Sequence, residues 1–360
     1  MMPFKYIMLF LPYSPVQKEI YFYVTITIIM LFLYPLLPTL VYSQQHQQQQ
    51  FAFAYQTIIK NQIDNKARNN NLSSVNSNVP KLAILNFYDD DISQFTHAKP
   101  ILDKYGFKGT FFIVCSWTIS DNSLVNWGNL TQLYLRMSWH DIAQLHSEGH
   151  DIESHSSTHK VLDNLSSTAL DYQIGQSKQC IRNHIGVEPT VFSPPHGRAS
   201  KNVTAINTIA KYYDLSIGGF VTGPMFLHCD GWKQKQSTNQ TDCSTYSANG
   251  TLNYANRYDI KERTHNALDK RYSHNDTQIF DKFTELVNSQ INFNKNGTID
   301  AIPIIGYHDI DNNKTITSTD VSLFDAEMKY LNDNGFKVLT MSDLGYDENS
   351  KYLYIKNNRE

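Results

Sequence analysis

The stretch that decides the reading is Gly149-His150-Asp151-Ile152-Glu153-Ser154-His155-Ser156-Ser157-Thr158-His159. His155 and His159 stand four residues apart. On a helical turn that spacing puts two rings on one face, within reach of one metal ion. Only small polar residues lie between them, so nothing bulky shields an ion. Ile152 precedes the pair in a segment that reads as a buried strand. A strand end feeding a metal-binding turn is where α/β enzymes carry their chemistry. Taken alone, the pair fits two exposed or hydrogen-bonded histidines better than a metal site, so the rest of the chain has to decide.

Outward from this stretch, short apolar runs alternate with helical patterns. Strands are expected at Leu82 to Phe87, Gly109 to Val114, Asp151 to Ser154, Thr190 to Ser193, Leu215 to Ile217, Ala301 to Tyr307 and Phe336 to Leu339. Between them helices are expected at His97 to Tyr105, from the N-cap Ser138 through His146, Ser166 to Ile185, Thr204 to Tyr213, Ile279 to Ile291 and Val321 to Asn332. Repeated βα units with buried strands give a parallel sheet. About seven of them predict an α/β fold closed into a distorted (β/α) barrel.

The chain has 360 residues, of which 41% are hydrophobic, enough to fill such a core. Charged residues are 18% and the net charge is -3, so no basic face is implied and nucleic acid is not an expected partner. The catalytic domain is expected over 81–345, with an insertion at 224–256 and a C-terminal tail at 346–360. The Gln- and Asn-rich stretch 44–80 reads as a linker that cannot bury enough apolar surface to fold.

Residues 1–43, with an apolar run over 20–42, read as a signal peptide, with an uncleaved membrane anchor as the alternative. Either places the domain outside the cytoplasm, secreted or on the extracellular face of the membrane. Nine Asn-X-Ser/Thr triplets, from Asn71 to Asn313, agree with that compartment. Four cysteines are present. Cys115 and Cys180 read as buried thiols. Cys229 and Cys243 flank a polar loop and are the expected disulfide if the compartment is oxidising, free thiols otherwise.

The strand ends carry the chemistry. The first ends in Tyr88-Asp89-Asp90-Asp91, the fourth in Ser193-Pro194-Pro195-His196-Gly197, the sixth in Tyr307-His308-Asp309. One carboxylate with two imidazoles is a common borderline-metal set that leaves positions open for water, and a second carboxylate nearby can act as base. Singly, each of these ends also reads as an ordinary polar turn or cap.

Together, their order and spacing resemble the polysaccharide deacetylases of carbohydrate esterase family 4, the NodB-homology domain. The resemblance runs from Lys81 to Leu344. It includes Tyr105-Gly106-Phe107-Lys108-Gly109-Thr110-Phe111-Phe112 and Met137-Ser138-Trp139. It implies a hydrolase that removes acetyl groups from N-acetylated sugars of an oligo- or polysaccharide. It also implies a divalent metal, most often zinc, with cobalt, nickel or manganese as alternatives. By position it implies Asp89 as catalytic base, Asp90, His155 and His159 as metal ligands, and His308 as general acid. Pro195, His196 and Gly197 would line the substrate and oxyanion side.

The chain departs from the family pattern in four places. The arginine that orients the base is Ser193, the usual tyrosine is His196, and the glycine after the paired aspartates is Asp91. The Asp-and-Trp motif is not evident, with Asp230-Gly231-Trp232 as a stand-in. Arg198, Arg257 and Arg263 are candidates for the missing guanidinium. Two further functions stay open: a carbohydrate-binding protein without turnover, and a hydrolase of another amide or of an O-acetyl ester.

Overall fold

The computed structural model describes residues 79–118, 124–125, 134–197, 199, 202–220, 223–227, 257–265, 275–313, 315–350 and 352–356. Of the N-terminal segment and linker expected over 1–80, residues 1–78 lie outside them, as does the pair Cys229 and Cys243. Among the described residues, no helix is long and apolar enough to cross a membrane.

Eight strands form one sheet: β1 (Lys81–Tyr88), β2 (Thr110–Ile113), β3 (Asp151–Ser154), β4 (Val191–Phe192), β5 (Leu215–Phe220), β6 (Ile260–Thr264), β7 (Ile304–Tyr307) and β8 (Phe336–Leu339). The first seven follow one another in chain order around a ring. β7 pairs with β1 through Ile84 opposite Ile304 and Phe87 opposite Tyr307, which closes it. Every pairing in the ring is parallel. β8 pairs with the first half of β1, outside the ring.

The expected barrel of seven parallel strands is therefore present, with one exchange in its membership. β6 was not foreseen, and Phe336–Leu339, foreseen as a member, sits outside. The reason lies in the side chains of β6. It presents Ile260, Glu262 and Thr264 to buried positions and Lys261 and Arg263 to half-buried ones. Four polar residues in five conceal a barrel strand from hydrophobic patterning.

Alternation along β1 shows how the layers form. Leu82, Ile84 and Tyr88 face the barrel interior with Phe112, Val191, Ile217, Ile260 and Ile304. Ala83, Leu85 and Phe87 face outward, against Leu102, Phe283, Phe324 and Met328 of the surrounding helices. Successive strand residues point to opposite faces, so both faces of β1 are covered and its run reads as nearly continuously apolar.

The helices are α1 (Lys99–Tyr105), α2 (Trp139–Ser147), α3 (Ser167–Ile185), α4 (Val203–Tyr212), α5 (Asp276–Ser289) and α6 (Val321–Asp333). α2 starts at a capping box: the Ser138 hydroxyl accepts from the Asp141 N–H, and the Asp141 carboxylate accepts from the Ser138 N–H. α1 and α3 end on Gly106 and Gly186, both left-handed, where a glycine avoids the Cβ clash. Part of the region expected as a C-terminal tail is structured: Leu344–Asp347 pairs antiparallel with Tyr352–Ile355. Leu344 and Leu353 join the interior cluster.

The cysteines correct one expectation. Cys115 and Cys180, expected as buried thiols, are joined as a disulfide with a sequence separation of 65. It ties the segment after β2 to α3. Sequence spacing could not show this, because the two residues meet only when the helix after β3 packs beside the end of β2.

Candidate metal and catalytic site

The ends of β1, β3, β4 and β7 meet at the C-terminal mouth of the barrel. Asp89 follows β1. His155 and His159 follow β3. The Pro-Pro-His-Gly turn follows β4 and His308 follows β7. Asp89 Oδ1 lies 3.6 Å from His155 Nε2 and 3.2 Å from His159 Nε2. These three residues form a group whose ligand atoms all lie within 4.8 Å of one another.

The histidine pair does not sit on a helical turn, as the spacing suggested. It is carried by a loop in which Ser156 (φ 77°) and His159 (φ 57°) are left-handed. The Ser156 hydroxyl accepts from the His159 N–H at 2.9 Å and steadies that conformation. The rings end up 5.0 Å apart. His155 Nδ1 is 2.7 Å from the Ser193 carbonyl oxygen. Its Nδ1–H donates there, which leaves Nε2 with a free lone pair aimed at the group.

Asp90, expected as the third ligand, is not part of the group. Both its carboxylate oxygens accept from the Val114 N–H at 3.0 Å, and one accepts from the Thr118 hydroxyl at 3.1 Å. It is 1% exposed and holds the segment after β2. Asp89, expected as base, is the carboxylate that joins His155 and His159 in the group. The one-residue shift has a backbone counterpart. Asp89 (φ 74°) and Asp90 (φ 53°) are both left-handed. Asp90 therefore stands where a glycine would be unstrained. By the same shift, the residue ahead of the ligand is Tyr88.

The donor set fits a divalent cation. One carboxylate oxygen and two imidazole nitrogens converge, and Asp89 Oδ1 is buried without a hydrogen-bond partner. Such a set leaves one or more positions for water or substrate. Burial works to raise the Asp89 carboxyl, but its contact with His159 and the charges of His308, His159 and His155 hold it well below the usual carboxylate range. Burial lowers His155 to about 3, so its ring is neutral and able to ligate near neutral pH. Asp90 is pushed up to about 8 by burial, against the Val114 N–H bond and the Arg136 charge.

His308 Nε2 lies 3.9 Å from Asp89 Oδ2. Burial lowers its pKa, partly offset by Asp89. His196 is exposed and left-handed (φ 61°), its ring 4.9 Å from that of His159. Pro195 is buried beneath it. Gly197 packs so tightly on Phe220 that a Cβ there would come within 3.0 Å of the ring.

Of the candidates for the missing guanidinium, Arg257 is engaged with Glu348 and the Asp214 carbonyl instead. Arg263 points to the half-buried side of β6, and Arg198 lies outside the described residues. Asp230-Gly231-Trp232 lies outside them as well. The guanidinium at the site is that of Arg136, which no motif flagged. It donates to the Asp89 carbonyl, and its charge acts on Asp90 and His308. It covers the Trp117 ring at 4.5 Å, and Trp117 in turn packs on His159 at 4.6 Å.

The polysaccharide deacetylase family model matches residues 76–215. Over those residues the chain is similar to the polysaccharide deacetylase family. It is 26% identical over 186 residues to a bifunctional xylanase/deacetylase of Pseudobutyrivibrio xylanivorans, covering 52% of this chain and 26% of that protein. It is 28% identical over 134 residues to a chitin deacetylase of Pestalotiopsis sp, covering 36% of this chain and 39% of that protein. The chain thus spans well under half the length of these two relatives. Among solved structures, a family 4 acetyl xylan esterase from Clostridium thermocellum is similar at 20% identity. That match covers 73% of this chain and 89% of the other, with a TM-score of 0.43.

Proposed function

We propose that the protein is a metal-dependent hydrolase that removes acetyl groups from N-acetylated sugars of a polysaccharide or surface glycan. The observation that carries this reading is the convergence of Asp89, His155 and His159 at the barrel mouth, with His308 beside them. Asp89 Oδ1, His155 Nε2 and His159 Nε2 would hold the ion. A carboxylate with two imidazoles favours zinc, with cobalt, nickel or manganese as alternatives. An ion held there would supply Lewis acidity and would lower the pKa of a water from about 15.7 toward about 7.

The chain's own residues do the rest. His308 Nε2 takes up the proton released by the attacking water and delivers it to the departing amine nitrogen. Asp90 and Tyr88 do not compete for this step, because their oxygens are engaged by Val114, Thr118 and Glu262. Pro195, His196 and Gly197 form the side of the mouth against which the acetyl group would rest. A location outside the cytoplasm, secreted or at the outer face of a membrane, is supported by the Cys115–Cys180 disulfide and the Asn-X-Ser/Thr triplets.

Acetate release from chitin and acetyl-xylan oligosaccharides, with and without added zinc, tests the reading. Metal-dependent release that His308→Ala abolishes is the expected result. Stoichiometric metal without release from any acetylated glycan would sink it. A second reading, glycan binding without turnover, draws on the one-residue shift: with Asp89 in the metal group, the residue ahead of it, where a carboxylate base would stand, is Tyr88. That reading predicts glycan affinity with no acetate at any metal supplement.

A further inference from the structure

Beneath the metal group, the barrel interior holds a buried polar cluster. The Tyr88 hydroxyl donates to Glu262 Oε2 at 2.6 Å, and Asn86 Nδ2 donates to the same oxygen at 2.9 Å. Tyr88 is 3% exposed, Glu262 2% and Asn86 0%. No cation partners Glu262 in these contacts. Burying a carboxyl group on neutral donors alone is unfavourable, and apolar side chains would fill the same space at less cost. The barrel is also shaped around the pair. At Gly306 on β7, a Cβ would come 3.0 Å from Glu262 Oε1 and 3.1 Å from the Tyr88 ring.

Tyr88 links this cluster to the chemistry above it. Its ring centroid is 5.1 Å from that of His155 and 5.6 Å from that of His308. The ring also stacks on Phe112 of the neighbouring strand at 4.9 Å, which packs it in place. One aromatic ring therefore underlies both a metal ligand and the histidine proposed to move protons. The hydroxyl that fixes the ring's tilt is held across the barrel by β6.

We propose that Tyr88, locked by Glu262, is a positioning residue that sets the separation of His155 Nε2 and His308 Nε2 across Asp89. This rests on the metal-hydrolase reading above, and it gives the unforeseen strand β6 a part in that function. The pair acts through the two imidazoles and does not touch substrate.

The experiment compares Tyr88→Phe, Glu262→Leu and Glu262→Gln in the full chain loaded with cobalt(II). Tyr88→Phe keeps the ring and its packing while removing the hydroxyl, so the fold is retained. Expected for Tyr88→Phe and Glu262→Leu are an altered visible cobalt spectrum, a roughly tenfold weaker cobalt affinity, and a kcat lowered about tenfold at unchanged KM. Glu262→Gln, whose amide oxygen still accepts from Tyr88, is expected to restore the spectrum and most of kcat. If Tyr88→Phe and Glu262→Leu lower only the melting temperature and leave spectrum, affinity and kcat at wild-type values, the pair is a packing element and the proposal is overturned. The cobalt spectrum needs no turnover. An absence of acetate release in the wild type would therefore count against the deacetylase reading without touching this result.

Discussion

At the residue scale, the adjacent aspartates are the sharpest case of position deciding role. Asp89 and Asp90 are chemically identical, yet one faces two imidazoles and the other faces a strand terminus. Asp89→Asn is expected to lower metal affinity by more than the 10–100-fold typical of outer-sphere partners, with little loss of stability. Asp90→Asn is expected to keep metal affinity and to cost about 1–3 kcal/mol of stability, because it weakens the acceptor for Val114 and Thr118. Isothermal titration with zinc and urea unfolding separate the two. Reversed outcomes would reinstate Asp90 as ligand.

His150 gives a pH dependence of defined sign. Its Nδ1 accepts from the Gly109 N–H at 3.2 Å. Burial first, then the Lys108 charge, lowers its pKa to about 4. The unfolded chain therefore binds the proton that the folded chain refuses between roughly pH 6.5 and 4. Stability supplied by neutral His150 is fully present above pH 6.5 and is lost as pH falls through that window, by about 2 kcal/mol between pH 7.5 and 5. Glu262 and Asp309, each raised to about 7 mainly by burial, work in the opposite direction over the same range. The measurement is thus the difference between wild type and His150→Asn. The variant is expected to lose less stability on acidification than the wild type, and equal losses would refute the assignment.

At the element scale, the segment after β2 is held from three sides. Asp90 binds Val114 and Thr118, the Cys115 and Ser116 N–H groups donate to the carbonyls of Ser156 and Ser157, and Cys115 is bonded to Cys180 on α3. This segment carries Trp117 against His159, so its anchoring bears on the site as well as on stability. Cys115→Ser with Cys180→Ser is expected to cost about 2–4 kcal/mol, the range for a closed loop of this length. It is also expected to weaken zinc binding several-fold by loosening the wall behind His159. Loss of stability with unchanged zinc affinity would show that the Asp90 and backbone bonds suffice to hold Trp117.

At the scale of the whole molecule, the sequence made the barrel legible where strands were apolar and hid it where function or closure made them polar. Asp151–Ser154 and Phe336–Leu339 were read to the residue, because their boundaries coincide with Gly149 and with the turn at Gly335. β6 was invisible because its buried positions hold Glu262 and Thr264. The histidines could be named from their spacing, but their carboxylate partner could not be. Which of two neighbouring aspartates turns inward depends on left-handed φ angles that no residue type there announces. Arg136 and Glu262 carried no motif, and Tyr88 stood in the first strand-end stretch without a role of its own. They became visible only as neighbours across strands far apart in sequence.

The same topology would give an ion held by Asp89, His155 and His159 a role in the fold. Its ligands come from the end of β1 and from the loop after β3, two strands separated in the ring by β2. An ion at Asp89, His155 and His159 would cross-link them at the mouth, where β4 contributes only two residues of strand. Binding to the folded chain alone stabilises it by about 4 kcal/mol at a thousandfold excess over Kd, which for a domain of this size is on the order of a 10 °C rise in Tm. Chelation of the zinc-loaded protein is therefore expected to lower Tm by that order, and re-addition of zinc to restore it. Asp89→Asn should show neither change, whereas Tyr88→Phe should show a smaller rise because its site is present but less well set. A Tm indifferent to both chelator and zinc would mean that these strand ends hold no ion, and the mechanism built on His308 would lose its electrophile.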